Sequence, residues 1–518
     1  MATTRREFLR NTACGTLSAF AMVEGVEKLF LTSALAQPNG SDDYKALVCV
    51  FLFGGNDSNN IVIPYTDYDG DGVDGYGPVR GGSVNLAIQI DNLLQITPPS
   101  DPLGNTYGLH PALGTVAGQP NDGLYGLWNA GKVAIAVNTG TMINPAATKD
   151  ELRAGIWRPY QLFSHSDQQA AFMTSQSTGP SPTGWGGRLA DRLRGSQTFP
   201  VVTSINGVQV FTQGSNTRPL IAGAHPTRID QLLVINRDFN PPEDPSPINQ
   251  IVALDLGNGT QLVKSSAQIA QDSLDIRGQL QNAGNPENPT WQALFPNTGL
   301  GNQLRQVAKL IKTSREFLTN VHRQIFFVSL GGFDTHNNQG TDQLDSQGQF
   351  TGNQAKLWVQ VSQAMTALYQ ATVELGVADR VTQFTISDFS RTFKPANPGS
   401  GVGSDHAWGG HHFVVGDAVN PGGVSDFYGT YPDVHLGADG DYDLGTGSRG
   451  RWIPNQSVDQ YGFTLANWFG LQPGPDVSYV FPNLGRFDPP DLGFMAPAAG
   501  VSAKNRASAN LFNRSSRR

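Results

Sequence analysis

Three apolar runs constrain this chain more than anything else in it. Ala46-Leu47-Val48-Cys49-Val50-Phe51-Leu52-Phe53, Phe326 to Leu330 and Val381 to Ile386 are continuous rather than alternating. A strand with water on one face alternates apolar and polar side chains. An unbroken run therefore predicts a strand covered on both faces, as in a parallel sheet. Each run stops in glycines, carboxylates or histidines. The first leads into Gly54-Gly55-Asn56-Asp57-Ser58, the second into Gly331-Gly332-Phe333-Asp334-Thr335-His336, the third into Ser387-Asp388. Asp405, His406, His411 and His412 then crowd into eight residues. In open α/β sheets, ligands bind beyond the carboxyl ends of the strands. These residues thus predict a metal site built on loops at one sheet edge.

Lys132 to Val137 reads as a further strand. Leu304 to Phe317 and residues 355–376 carry apolar side chains at helical spacing and flank the second run. Helix–strand–helix–strand is the α/β pattern. Gly108 to Leu113 is expected to open a helix, as is Gly184 to Ala190, and Tyr461 to Phe469 a last one. Residues 200–290 read as short β-like runs in a peripheral region.

The ends of the chain read differently. Thr4-Arg5-Arg6-Glu7-Phe8-Leu9 resembles a twin-arginine export motif, and Ala34-Leu35-Ala36 fits a cleavage site, so 1–36 is expected to be a removed signal peptide. Residues 37–495 form the expected domain, and 496–518 a polar, basic, disordered tail. The expected partner during export is the twin-arginine translocase, and the expected location periplasmic or extracellular. Glu24, Glu27 and Lys28 spoil the segment as a membrane span. With Cys14 removed, Cys49 has no partner for an internal disulfide. A formal charge of −8 argues against nucleic acid as a partner.

Several polar stretches admit two readings. Asp57, just past the first run, is either a metal-ligand carboxylate or the centre of an Asx-type turn. Asp67, Asp69, Asp71 and Asp74 resemble a short calcium loop, or form an acidic surface loop; Pro78 at the twelfth position excludes a full EF-hand. Ser164 and Ser166 open a helix, where each is a nucleophile beside a metal or an N-cap.

GGNDSNNIVIP, SHSDQQ, SLGGFDTHNNQ, SDFSRT and GSDHAWGGHHFVVGDAV, in this order, resemble the exported family DUF1501 from about residue 45 to 485. That family is grouped with the alkaline phosphatase and sulfatase superfamily. The resemblance implies an alkaline phosphatase-like three-layer sandwich: a mostly parallel, doubly wound central sheet with helices on both faces. It further implies two divalent ions (Zn, Mn or Ca) on the C-terminal edge of that sheet. Carried over, Asp57 is the early ligand, and Asp334 with His336 begin the other set, two apart where the superfamily usually has four. The later carboxylate is Asp388 or Asp405, followed by His406, with His411 and His412 as further candidates. Asp388 and Ser390 stand where the family commonly shows Glu and Gly. Ser164 fits the nucleophile, with Ser58 and Ser166 as alternatives, and Arg391 is expected either to hold an anionic oxygen or to form a salt bridge.

The expected activity is hydrolysis of a small or polymer-linked phosphate or sulfate ester, because two nearby cations hold both attacking and leaving oxygens. The competing expectation keeps the fold as a non-catalytic scaffold with a degraded site. A serine esterase ranks last, since the sequence has no G-x-S-x-G elbow.

Overall fold

The computed structural model describes residues 43–82, 85–233, 261–396 and 401–496. The expected signal peptide lies outside the described residues, as does the expected tail beyond residue 496. The strands are β1 (Lys45–Leu52), β2 (Val62–Pro64), β3 (Leu94–Ile96), β4 (Tyr107–Leu109), β5 (Val133–Gly140), β6 (Val202–Ser204), β7 (Leu220–Ile221), β8 (Arg323–Leu330), β9 (Val381–Ser387), β10 (Gly410–Val415), β11 (Asp426–Tyr428) and β12 (Gln456–Ser457). The helices that frame the sheet are α1 (Gly123–Asn129), α2 (His165–Thr174), α3 (Trp185–Leu193), α4 (Gln261–Ala283), α5 (Gly299–Glu316), α6 (Asn353–Glu374) and α7 (Val458–Phe469).

The three apolar runs lie side by side. β1 pairs in parallel with β8 on one edge and with β9 on the other, so Val48 sits beside Phe326 and Gln383. The full order is β11-β5-β10-β9-β1-β8-β6-β7, with β12 on β5. β10 runs antiparallel to both β5 and β9, and the other strand pairs in this sheet are parallel. β2, β4 and β3 form a small antiparallel sheet of their own.

The unbroken apolar character of β1 has a direct cause. Ala46, Val48 and Val50 enter a core with α1, α5 and α6, where Leu124, Leu304, Trp358 and Leu368 are buried. Leu47, Cys49 and Phe51 enter a second core with Phe172, Trp185, Leu189 and Tyr461 from α2, α3 and α7. Each fully buried Val, Leu or Phe contributes about 1.5–3 kcal/mol, so a polar residue on either face would cost a core contact. Thr298 caps α5 by accepting Gly301 N–H, and Ser457 with Gln460 forms a capping box on α7. No helix among the described residues is long and apolar enough to cross a membrane.

Two expectations change. Gly108 to Leu113 opens no α-helix: it completes β4 and turns through a short 3-10 segment at Pro111–Leu113, where His110 Nδ1 accepts Ala112 N–H. The region expected as β-like contains β6 and β7 but also the 23-residue helix α4. Its Gln, Ala and Leu residues favour a helix without an apolar stripe strong enough to announce one; Ile269 stays exposed while Leu280 is buried.

Candidate metal centre

Because β1, β5, β8 and β9 are mutually parallel or share a direction through β10, their carboxyl ends reach one edge. After β8, Gly332 takes φ +105° and the chain turns to present Asp334 and His336. After β1, Gly54 takes φ +116°, and a Cβ there would lie 2.3 Å from Asp334 N. The two loops can touch only because that position has no side chain. His165 is the first residue of α2, and His406 pairs with Arg391 in an antiparallel bridge just ahead of β10.

Four side chains converge here: His165, Asp334, His336 and His406, whose ligand atoms all lie within 4.8 Å of one another. The Nε2 atoms of His165, His336 and His406 stand 3.5, 3.1 and 3.7 Å from Asp334 Oδ1. His336 Nε2 and His406 Nε2 are 2.9 Å apart.

The outer faces of two rings explain why Nε2 points inward. His165 Nδ1 is 2.7 Å from Asp388 Oδ2, and His406 Nδ1 is 2.7 Å from the Phe163 carbonyl oxygen. A carbonyl only accepts, so His406 Nδ1 donates, and its neutral ring keeps the Nε2 lone pair free. Phe163 delivers that carbonyl from φ +78°, a conformation a bulky residue rarely adopts. Asp388 is fully buried; it also accepts from Gln169 Nε2 at 2.9 Å and from Gly54 N at 3.2 Å. His336 is held more loosely, with Nδ1 3.8 Å from Asp405 Oδ1 and a side chain 42% exposed.

His165 Nε2 is buried and has no hydrogen-bond partner. A buried lone pair aimed into a cluster of like donors, each ring oriented by an outer partner, fits a metal ion. Three imidazoles and one carboxylate suit Zn or another first-row transition metal rather than calcium, which takes oxygen ligands. The hydrogen bond that His165 donates to Asp388, and the Asp388 charge, raise the His165 pKa against the effect of burial. Burial alone would raise Asp334, but Arg391 and then His336 and His165 hold it below the usual carboxylate range. Burial lowers His406.

The sequence expectations distribute unevenly around this centre. Asp334, His336 and His406 are in it. Asp388 and Asp405 stand one contact further out, against His165 and His336, and Arg449 Nη1 meets Asp405 Oδ2 at 2.7 Å. Asp57 is not in the cluster: it is buried, paired with Arg80, accepts from Gln339 Nε2, and caps the turn at Ser58–Asn60 through Asn59 N. The turn reading of Asp57 is the one its contacts follow. His411 lies on β10 with its ring buried, stacked on Tyr431, and Nδ1 accepting Asn138 N–H at 3.0 Å; it is a core histidine. Burial takes His411 and His412 down to about 3.

Arg391 is not placed to grip a substrate. Its guanidinium is fully buried, 2.8 Å from Asp334 Oδ1 and bonded to the carbonyls of Gly54 and Ser404. Ser164 stands at the N-cap position of α2 without capping it; its Oγ donates to Asp167 Oδ2 at 2.6 Å. Ser58 is buried, its Oγ accepting His411 N–H. Asp67, Asp69, Asp71 and Asp74 do not form a second such group among the described residues. Asp71 Oδ1 turns back to Val73 N, while His435 faces Asp67 and Asp74. His165 is the ligand-type residue that sequence pattern did not single out. It sits between the two serines of SHSDQQ, at a helix start where a hydroxyl draws attention first.

A cavity of about 580 Å³ opens beside the cluster, lined by His336, Asn337, Asp405, Lys394 and Arg449 among others. A family model described as a protein of unknown function, DUF1501, matches residues 44–439. No curated protein matches the chain.

Proposed function

This chain belongs to the DUF1501 family, and from the centre just described we propose that it is a metal-dependent hydrolase of phosphate or sulfate esters with one divalent ion held by His165, Asp334, His336 and His406. The observation that carries this reading is the convergence of three inward Nε2 atoms and one carboxylate, with two of the rings fixed from behind. The mostly parallel sheet, with the cluster beyond its carboxyl ends, agrees with the alkaline phosphatase-like fold that the resemblance implies. A bound ion would supply a Lewis acid and lower the pKa of a hydroxyl or water beside it. The chain's own residues do the rest. Asp388 and the Phe163 carbonyl orient His165 and His406, Arg391 holds Asp334 in place, and Ser164 offers a hydroxyl that donates its hydrogen bond to Asp167.

Protein purified without chelator should carry about one equivalent of a transition metal per chain and turn over an aryl phosphate or aryl sulfate. His165→Ala and His336→Ala should lose both metal and turnover, and Ser164→Ala should keep the metal and lose turnover. Turnover without bound metal, or full metal retention in both histidine variants, would sink the reading. A second reading, a non-catalytic binding or scaffold protein, draws on Asp57 and Arg391. The two residues expected to meet metal and anion are locked in buried structural bonds. Bound metal with no turnover of either ester class would assign it.

A further inference from the structure

Only one of the four cluster residues, His336, lines the 580 Å³ cavity, so the body of that cavity lies to one side of the cluster. A ligand group placed among the four donors would leave most of this space for the remainder of the same molecule. The lining carries two cations, Lys394 and Arg449. Backbone pairing brings them together: Phe393 N bonds Gly450 O at 3.0 Å and Lys394 N bonds Arg449 O at 2.9 Å. On its other side the same strip is tied to the cluster, with Thr392 N on Asp405 O at 2.8 Å and Arg391 bridged to His406. One frame therefore fixes Arg391 at the metal centre and sets Lys394 and Arg449 outward from it. Lys394 is exposed and makes no ion pair among the described residues. Arg449 Nη1 donates to Asp405 Oδ2 at 2.7 Å, and its side chain also lines the cavity. Two cations against one carboxylate leave this wall net positive, and Asn337 and Ser448 add neutral polar groups.

We infer that this cavity is a subsite for a second anionic group, and that the substrate is a small bis-anionic ester: the ester group at the cluster, a carboxylate, phosphate or sulfate at Lys394 and Arg449. The inference rests on the ester-hydrolase reading for its first anchor, whereas the two cations are independent of it. Guanidinium and ammonium groups bind such oxyanions through charge-assisted hydrogen bonds.

Calorimetric titration of the metal-loaded protein with methylphosphonate and with a series of ω-phosphonocarboxylates tests the subsite. At least one member of the series should bind about ten-fold or more tightly than methylphosphonate, the scale of one charge-assisted hydrogen bond. Lys394→Ala and Arg449→Gln should each reduce that gain and together remove it, with methylphosphonate affinity unchanged. No gain across the series, or a gain that survives both substitutions, overturns the subsite. Metal content measured on the same samples separates the two claims. If the protein carries no metal, the hydrolase reading fails, and inorganic phosphate alone then probes the subsite. Its binding must weaken about ten-fold in the double variant, and an unchanged affinity overturns the subsite as well.

Discussion

Asp388 sits just past β9 with no exposed surface, and its ion-pair contact among the described residues is to His165. Its position after a buried strand is readable in the sequence, but not which atom it faces. Asp388 reaches an imidazole rather than the centre itself, and a carboxylate behind a ligand histidine fixes its tautomer and strengthens it as a donor. Asp388→Asn keeps the size and an acceptor oxygen but removes the charge. Metal affinity, measured by competition with a chromogenic chelator, should fall about 10–100-fold, with the far-ultraviolet spectrum unchanged. An unaltered affinity would make Asp388 a bystander. The same limit explains Asp57 and Arg391. Both were legible as polar residues beside strand ends, yet Asp57 finds Arg80 23 positions further on, past β2 and the acidic loop, and no spacing in that stretch announces the pair. His165 was illegible for the opposite reason: one histidine at a helix start has many ordinary uses.

At the scale of elements, β1, β8 and β9 were legible because burial on both faces leaves an unbroken apolar signature, and α5 and α6 because one face of each is apolar. Register and neighbours were not, since any of the three runs could have been central. What seats the loops after β1 and β8 against each other is Gly54, whose missing side chain admits Asp334 N. Gly54→Ala would meet both a left-handed backbone and a backbone contact too short for any Cβ. It should destabilise the protein by more than about 2 kcal/mol in urea unfolding and lower metal occupancy by displacing Asp334. A fully loaded, equally stable variant would show that the two loops are not coupled.

Across the whole molecule, buried histidines set the acid limit. Burial lowers His110 to about 4, and His411 and His412 to about 3. The unfolded chain takes up these protons near the ordinary value of 6.5 and the folded chain does not. Their contribution is therefore complete above that value and is lost as pH falls toward 4. Asp459, pushed up to about 6 by burial, works in the opposite sense and offsets one of them. At about 1.4 kcal/mol per pH unit for each proton, two net protons give a slope of about 3 kcal/mol per unit between pH 6 and 4. Denaturant midpoints across that range should show it, and His412→Phe should halve it; a flat profile contradicts the burial of these rings. The cluster draws its donors from the start of α2, the turn after β8 and the approach to β10, segments scattered along the chain and joined only by the finished sheet. No stretch of newly made polypeptide contains the set. An ion bound there would find its four donors assembled by the sheet rather than by local sequence, unlike in small zinc-nucleated modules, where the ligands lie close together along the chain. Such an ion would then report on the finished architecture, and unfolding the sheet would scatter its donors.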